Sequence, residues 1–280
     1  MYRQTASDLS VVLEDPSSAH LAAYLNQLLG RTHNLLYSGQ RPRSNAIANF
    51  YKDVYPRVFR ETLPQTLLAT AIFFAAAVAG WLVTTHDPAF AHRFLGPEMM
   101  DSIERHEMWT KSVVAIKPVA SSFITTNNLS VAFTIFALGI TGIGAIWMIV
   151  FNGLLLGVVG AATWRAGMAL ALWSFVAPHG VLELPAIFIA GGAGLEIARG
   201  LFFPRFLSRR ASLEQAGKRA TRLLLGTIPM LLVAGAIEGF FSPTNAPPAM
   251  KFALAAVLFP ALLSYLFHRR PDIAKEDSGL

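Results

Sequence analysis

No cysteine occurs in the 280 residues. Disulfides, thiolate metal ligands and a cysteine nucleophile are therefore excluded. Charge is scarce too, at 14% of residues, against about 25% in an ordinary soluble domain. No His-Glu-x-x-His zinc motif occurs, and no Gly-x-Ser-x-Gly elbow frames a serine. The stretch Gly191-Gly192-Ala193-Gly194 has no lysine after it, which excludes a phosphate-cradling loop. Residues 1–15 are polar, so no cleavable signal peptide is visible.

What is present is apolar length. Hydrophobic residues make up 54% of the chain, and mean hydropathy is +0.47. Runs of about 20 apolar residues predict an all-α, polytopic membrane bundle. The net charge of +6 raises the idea of a nucleic-acid partner. The basic residues flank apolar segments, however, so cytoplasmic anchoring is the better reading and no nucleic acid is expected.

Residues 1–45 read as a small cytoplasmic helical segment, with Leu21, Tyr24, Leu25, Leu28 and Leu29 at helical spacing. His20 and His33 fall there as ordinary surface or packing residues. Residues 46–62 interleave Phe50, Tyr51, Tyr55 and Phe59 with Lys52, Arg57 and Arg60. That mixture predicts an amphipathic helix lying at the headgroups. Residues 63–270 form the transmembrane bundle, and 271–280 a cytoplasmic tail. The first span covers Leu63 to about Thr85. A polar outer segment follows to about Thr126, where Glu104, His106 and Glu107 read as a solvated face rather than a metal cluster.

Asn127 to Thr163 is apolar throughout. A single helix of that length would run about 55 Å, against a hydrocarbon core of about 30 Å. Two tilted helices joined at Gly139–Gly144 are the preferred reading. With spans at Met168–Phe203, Leu223–Phe241 and Phe252–Phe267, the count is about six. The basic clusters at Arg41–Arg60, Arg199–Arg222 and His268–Arg270 then place both termini in the cytoplasm.

Ionisable residues inside a membrane are costly and mark functional interiors. The candidates are His179, Glu183 and Glu238, with the uncharged Asn127, Asn128 and Asn152. By depth they could meet in one polar centre toward the outer side. His179 and Glu183 are four apart and share a helix face. Pro178 and Gly180 predict a break in the fourth span, with a new helix starting near Val181 and aiming its free N–H groups at the gap. Gly191, Gly192 and Gly194 form a small-residue stripe for close helix packing. Glu196 and Arg199 read as an interfacial pair.

Zinc usually takes several nitrogen or sulfur ligands. His179 is the one histidine inside an apolar span, so a metal-dependent hydrolase using His179, Glu183 and Glu238 is the weakest of the functional readings. No catalytic residue and no cofactor is expected.

The sequence resembles the stage II sporulation protein M family of integral membrane proteins. The residues that carry the resemblance include Leu25-Asn26-Gln27-Leu28-Leu29-Gly30-Arg31-Thr32-His33, Thr126-Asn127-Asn128 and Phe151-Asn152-Gly153. Pro178-His179-Gly180-x-x-Glu183, Ala190-Gly191-Gly192-Ala193-Gly194-Leu195 and Ile237-Glu238-Gly239-Phe240 complete the ordered set. It is most similar to the long branch found in non-sporulating bacteria, and the chain reads as starting midway through that branch's N-terminal helical domain. The resemblance implies a multi-pass protein of the cytoplasmic (inner) membrane. In sporulating bacteria it implies a complex that organises cell-wall remodelling. The expected role is thus a non-enzymatic component or organiser of an envelope complex, with the lipid bilayer and other membrane proteins, or copies of itself, as partners. The alternative is a transporter or channel-like protein using the polar centre.

Overall fold

A computed structural model describes residues 45–107, 117–204 and 206–268, with Val12, His20, Leu21, Tyr24, Leu25 and Gln27 as isolated positions. His33, most of the expected N-terminal helical segment and the 271–280 tail lie outside the described residues. The chain divides into two units, Met1–Asn49 and Phe50–Leu280. In the first, His20 is exposed and Ala46–Asn49 forms one helical turn. Every regular element among the described residues is helical.

The second unit opens with a π-helical turn, Phe50–Val54, and the helix α1, Tyr55–Glu61. The sequence predicts a headgroup-level amphipathic helix here. Tyr55, Val58 and Phe59 are buried in the bundle, while Lys52, Arg57 and Glu61 are exposed. The Tyr55 ring occupies the space that a side chain at Gly226 would fill. Burial pushes its phenol well above the usual range. Tyr265 donates to the Tyr51 carbonyl, and Arg60 donates to the carbonyls of Leu266 and His268. The aromatic residues of this segment thus pack against the bundle.

The remaining helices are α2 (Leu63–His86), α3 (Pro88–Leu95), α4 (Pro97–Glu104), α5 (Lys117–Leu138), α6 (Ile143–Arg165), α7 (Ala169–Phe202), α8 (Arg209–Ala236) and α9 (Pro248–Phe267). Between α8 and α9 lies a second π-helical turn, Ile237–Phe241. Five of these helices are long and apolar enough to cross a membrane: α2, α6, α7, α8 with its π turn, and α9.

Contacts fix their relative directions. Phe73 and Ala76 meet Gly153, and Trp81 meets Gly160, so α2 and α6 run parallel. Phe73 meets Phe188 and Thr66 meets Gly192, so α7 runs opposite to α2. Ser212 and Ala216 meet Gly200, and Glu238 faces His179, so α8 runs opposite to α7. Gly139 and Ile135 meet Gly194, while Thr125 meets Gly235. Helix α5 therefore runs between the same two ends as the five apolar helices, although Asn127, Asn128 and a run of serines and threonines make it more polar.

Two expectations about the helices need correction. Helix α5 starts at Lys117, well before Asn127. Its polar first turns carry no hydrophobic signal, and only its apolar second half looks helical in sequence. Secondly, Pro178 does not break the fourth span: α7 is continuous from Ala169 to Phe202 with Pro178 and Pro185 inside it. Each proline removes one ladder bond, but the neighbours restrain the helix. Pro178, Gly180, Leu182, Ala186 and Ile187 are all buried. Prolines are tolerated in spanning helices under such conditions. The turn expected between α5 and α6 is present: Gly139–Thr141 forms a short 3-10 segment, and Gly142 takes a positive φ of 69° that suits glycine.

Candidate functional site

The site starts from the helical repeat. His179 and Glu183 lie one turn apart on α7, about three turns in from Ala169. Glu238 comes from the π turn that closes α8. Such turns widen the helix by one residue and recur at functional sites. Here the wide turn ends in a hydrogen bond from Ser242 N to Ile237 O at 2.8 Å. Glu238 and Ser242, four residues apart, both face His179 of α7.

The result is a compact cluster. His179 Nε2 lies 3.9 Å from Glu183 Oε2 and 3.8 Å from Glu238 Oε2. All three potential ligand atoms fall within 4.8 Å of one another. The other ring nitrogen, Nδ1, is 3.1 Å from Ser242 Oγ. The Phe175 ring packs edge-on against the imidazole, with centroids 5.5 Å apart. His179 is 4% exposed and Ser242 1%. Lys251, 7% exposed, donates to the carbonyls of Ser242 and Thr244 at 2.7 and 2.9 Å. A chain of polar contacts thus runs from α9 through the π turn to the imidazole.

The asparagines make their hydrogen bonds outside this cluster. Asn127 is exposed and donates to Asn128 Oδ1 at 3.4 Å. Asn128 is buried and its Nδ2 has no partner among the described residues. It lies one turn from Thr125, which touches Gly235. Asn152 is half-buried and donates to Met148 O on its own helix. The glycines sit at helix contacts. A Cβ at Gly191 would fall 2.9 Å from the Ala69 Cβ, one at Gly192 2.5 Å from Thr66 Oγ1, and one at Gly194 2.8 Å from Ile135 O.

At the other end of α7, Glu196 is 1% exposed. It accepts two bonds from Arg199, at 2.7 and 2.8 Å, and one from Arg219 at 2.7 Å. The sequence suggests Arg199 as partner but not Arg219, which comes from α8. Of the acidic residues after α2, Glu104 meets His92 at 3.1 Å and Glu107 meets Arg105 at 3.7 Å.

Ser242 and Lys251 are the residues that sequence reasoning misses. Ser242 reads as part of a Pro-rich loop, and Lys251 as loop because the apolar run begins at Phe252. A lysine in the first turn of a spanning helix is the signal that could have found the second.

The family profile described as Stage II sporulation protein M matches residues 69–243. The chain belongs to the SpoIIM family. An uncharacterized protein of Methanocaldococcus jannaschii is similar to it, 29% identical over 123 residues, covering 43% of this chain and 69% of that one. No solved structure matches. The SpoIIM match runs from α2 to the residue after Ser242, so it takes in His179, Glu183, Glu238 and the π turn but not Lys251. Together with the five apolar helices, it makes this a SpoIIM-family membrane protein that lives in a lipid bilayer.

Proposed function

We propose that the protein is a non-enzymatic component of an envelope-associated complex in the cytoplasmic membrane, with both termini cytoplasmic. Burial of the imidazole at the polar centre carries this reading. The imidazole is walled in by Phe175, held through Ser242 and nearly inaccessible. Hydrolysis needs a path by which substrate reaches the centre; a clasp between two helices needs none. The same clasp fixes α7 against the end of α8, giving the rigid surface that an organiser presents to other membrane proteins or to a second copy of itself.

Charge supports the orientation. Lys52, Arg57, Arg60, Arg199, Arg209, Arg210, Lys218, Arg219 and Arg222 gather at one end of the bundle. The other end carries Asp87, Glu98, Asp101, Glu104 and Glu107 among its basic residues. Basic residues concentrate on the cytoplasmic side.

The second reading is a transporter or channel-like protein. It is favoured by three ionisable side chains meeting at membrane depth, since such groups often line ion pathways. One comparison separates the two. The purified protein is reconstituted in vesicles, and proton and divalent-cation flux is followed with trapped fluorescent indicators. In parallel, a deletion strain is complemented with wild type, Glu183→Gln and Glu238→Gln, and envelope integrity is scored under cell-wall stress. The organiser reading expects no flux from wild type or variants, and any loss of integrity only in step with a loss of assembly. Flux that disappears in either glutamine variant would replace it with the transporter reading.

A further inference from the structure

We infer that His179, Glu183 and Glu238 hold one divalent transition-metal ion that ties α7 to the π turn of α8. The inference names the ligand of the centre described above and rests on the reading that this centre holds the helices together.

The first support is geometric. The Nε2 atom faces two carboxylate oxygens across gaps of 3.8 and 3.9 Å. Those gaps are too long for hydrogen bonds. They are close to the span of ligands around a single ion: atoms 2.0–2.1 Å from a tetrahedral centre lie about 3.3 Å apart. A bound ion would draw each carboxylate in by roughly half an ångström, a change that a rotation of a glutamate side chain supplies. The donor set comes from two elements, so the ion would cross-link them.

The second support is the charge balance. Two carboxylates and one imidazole meet inside the bundle. Among the described residues no lysine or arginine lies within ion-pair distance of Glu183 or Glu238. Lys251, behind Ser242, donates to the carbonyls of Ser242 and Thr244. Paired carboxylates in a low-dielectric setting either take up protons or are balanced by a cation, and a metal ion would supply that charge.

The third support is the outer shell. A metal-binding histidine ordinarily directs its second nitrogen at an acceptor that fixes the tautomer and ring orientation. Ser242 Oγ occupies that position at 3.1 Å from Nδ1. The serine is itself fixed by its own N–H to Ile237 O and by Lys251 on its carbonyl. Imidazole with two carboxylates suits zinc and manganese better than magnesium or calcium, which favour all-oxygen sets. The sequence alone leads to an expectation of no cofactor, because it offers one histidine in an apolar span and no cysteine.

The test uses the full-length protein in detergent, stripped with chelator, loaded separately with zinc and with manganese, and freed of excess ion. Elemental analysis of the wild type is expected to return one ion per chain for one of the two metals. His179→Ala and the double variant Glu183→Gln/Glu238→Gln are expected to retain less than about a tenth of that. Ser242→Ala is expected to bind about tenfold more weakly, as loss of an outer-shell partner does. A folding control accompanies this: the metal should raise the thermal transition of wild type and leave that of the monodisperse glutamine variants unmoved. A wild type that retains no stoichiometric ion and shows no metal-dependent transition overturns the inference, even if the organiser reading survives in the complementation assay. Retention of a full ion by the double variant overturns it equally. One ion per chain together with metal flux through vesicles would keep the metal site and remove the organiser role.

Discussion

Lys251 illustrates how a single residue can hold a site together without touching its centre. It is 7% exposed and its ammonium reaches the carbonyls of Ser242 and Thr244. Both carbonyls follow a π turn and lack a continuing helix to supply donors. Lys251→Met keeps the length of the stem and removes the donors. Leaving buried acceptors unpartnered costs about 1–3 kcal/mol, so the variant is expected to unfold at lower temperature than wild type in detergent, followed by tryptophan fluorescence. An unchanged midpoint would mean that water replaces the ammonium at no cost. The centre itself is legible in the sequence to the extent that charge stands out against an apolar background. His179, Glu183 and Glu238 stand out for that reason. Ser242 and Lys251 do not, because a serine or lysine beside prolines looks like any loop.

At the scale of the helices, close approach decides the architecture. Gly153 and Gly157 let α6 touch the backbone of α2 at Phe73 and Ala77, while Gly192 lets α7 reach Thr66. In lipid, where no hydrophobic force separates helix from tail, such contacts drive association. Gly192→Ala would set a Cβ 2.5 Å from Thr66 Oγ1 and 2.9 Å from the Thr66 backbone. Both the helix and the hydroxyl would have to move, so a destabilisation of about 1–3 kcal/mol is expected. Gly217 makes the matched control: it lies inside α8 with nothing within 4 Å of an added methyl. There Gly217→Ala should stabilise by about 0.4–1 kcal/mol, because alanine loses less backbone freedom. Denaturant titration of both variants tests the pair, and equal signs would refute the packing argument. Apolar runs reveal α2, α6 and α7 closely, since nothing else competes for them. Helix ends are harder to read. The polar start of α5 at Lys117 and the Pro-rich start of α9 carry no hydrophobic signal. The same blindness produces the expected break at Pro178, because many of the buried neighbours that hold α7 together are far away in sequence.

For the whole molecule, the status of α5 governs everything beyond it. By composition alone five helices are fit to cross, and five crossings from a cytoplasmic start would leave the C-terminal end of α9 outside. The contacts of α5 argue otherwise: Thr125 meets Gly235 at one end of the bundle, and Gly139 meets Gly194 toward the other. A helix so placed would cross with its neighbours, with Asn128 buried against them. The two counts make opposite predictions at the same positions. Six crossings put the exposed Asn245 outside and the exposed Leu207 in the cytoplasm; five crossings exchange them. The absence of native cysteine makes the measurement clean, because a single introduced thiol is the one reactive site. Asn245→Cys is expected to react with a membrane-impermeant maleimide in intact cells. Leu207→Cys is expected to react only after permeabilisation, and His268→Cys, beyond α9, likewise. The reverse pattern at Asn245 and Leu207 would demote α5 to a helix that never crosses. It would also separate the C-terminus from the cytoplasmic basic end that the positive-inside rule assigns to it.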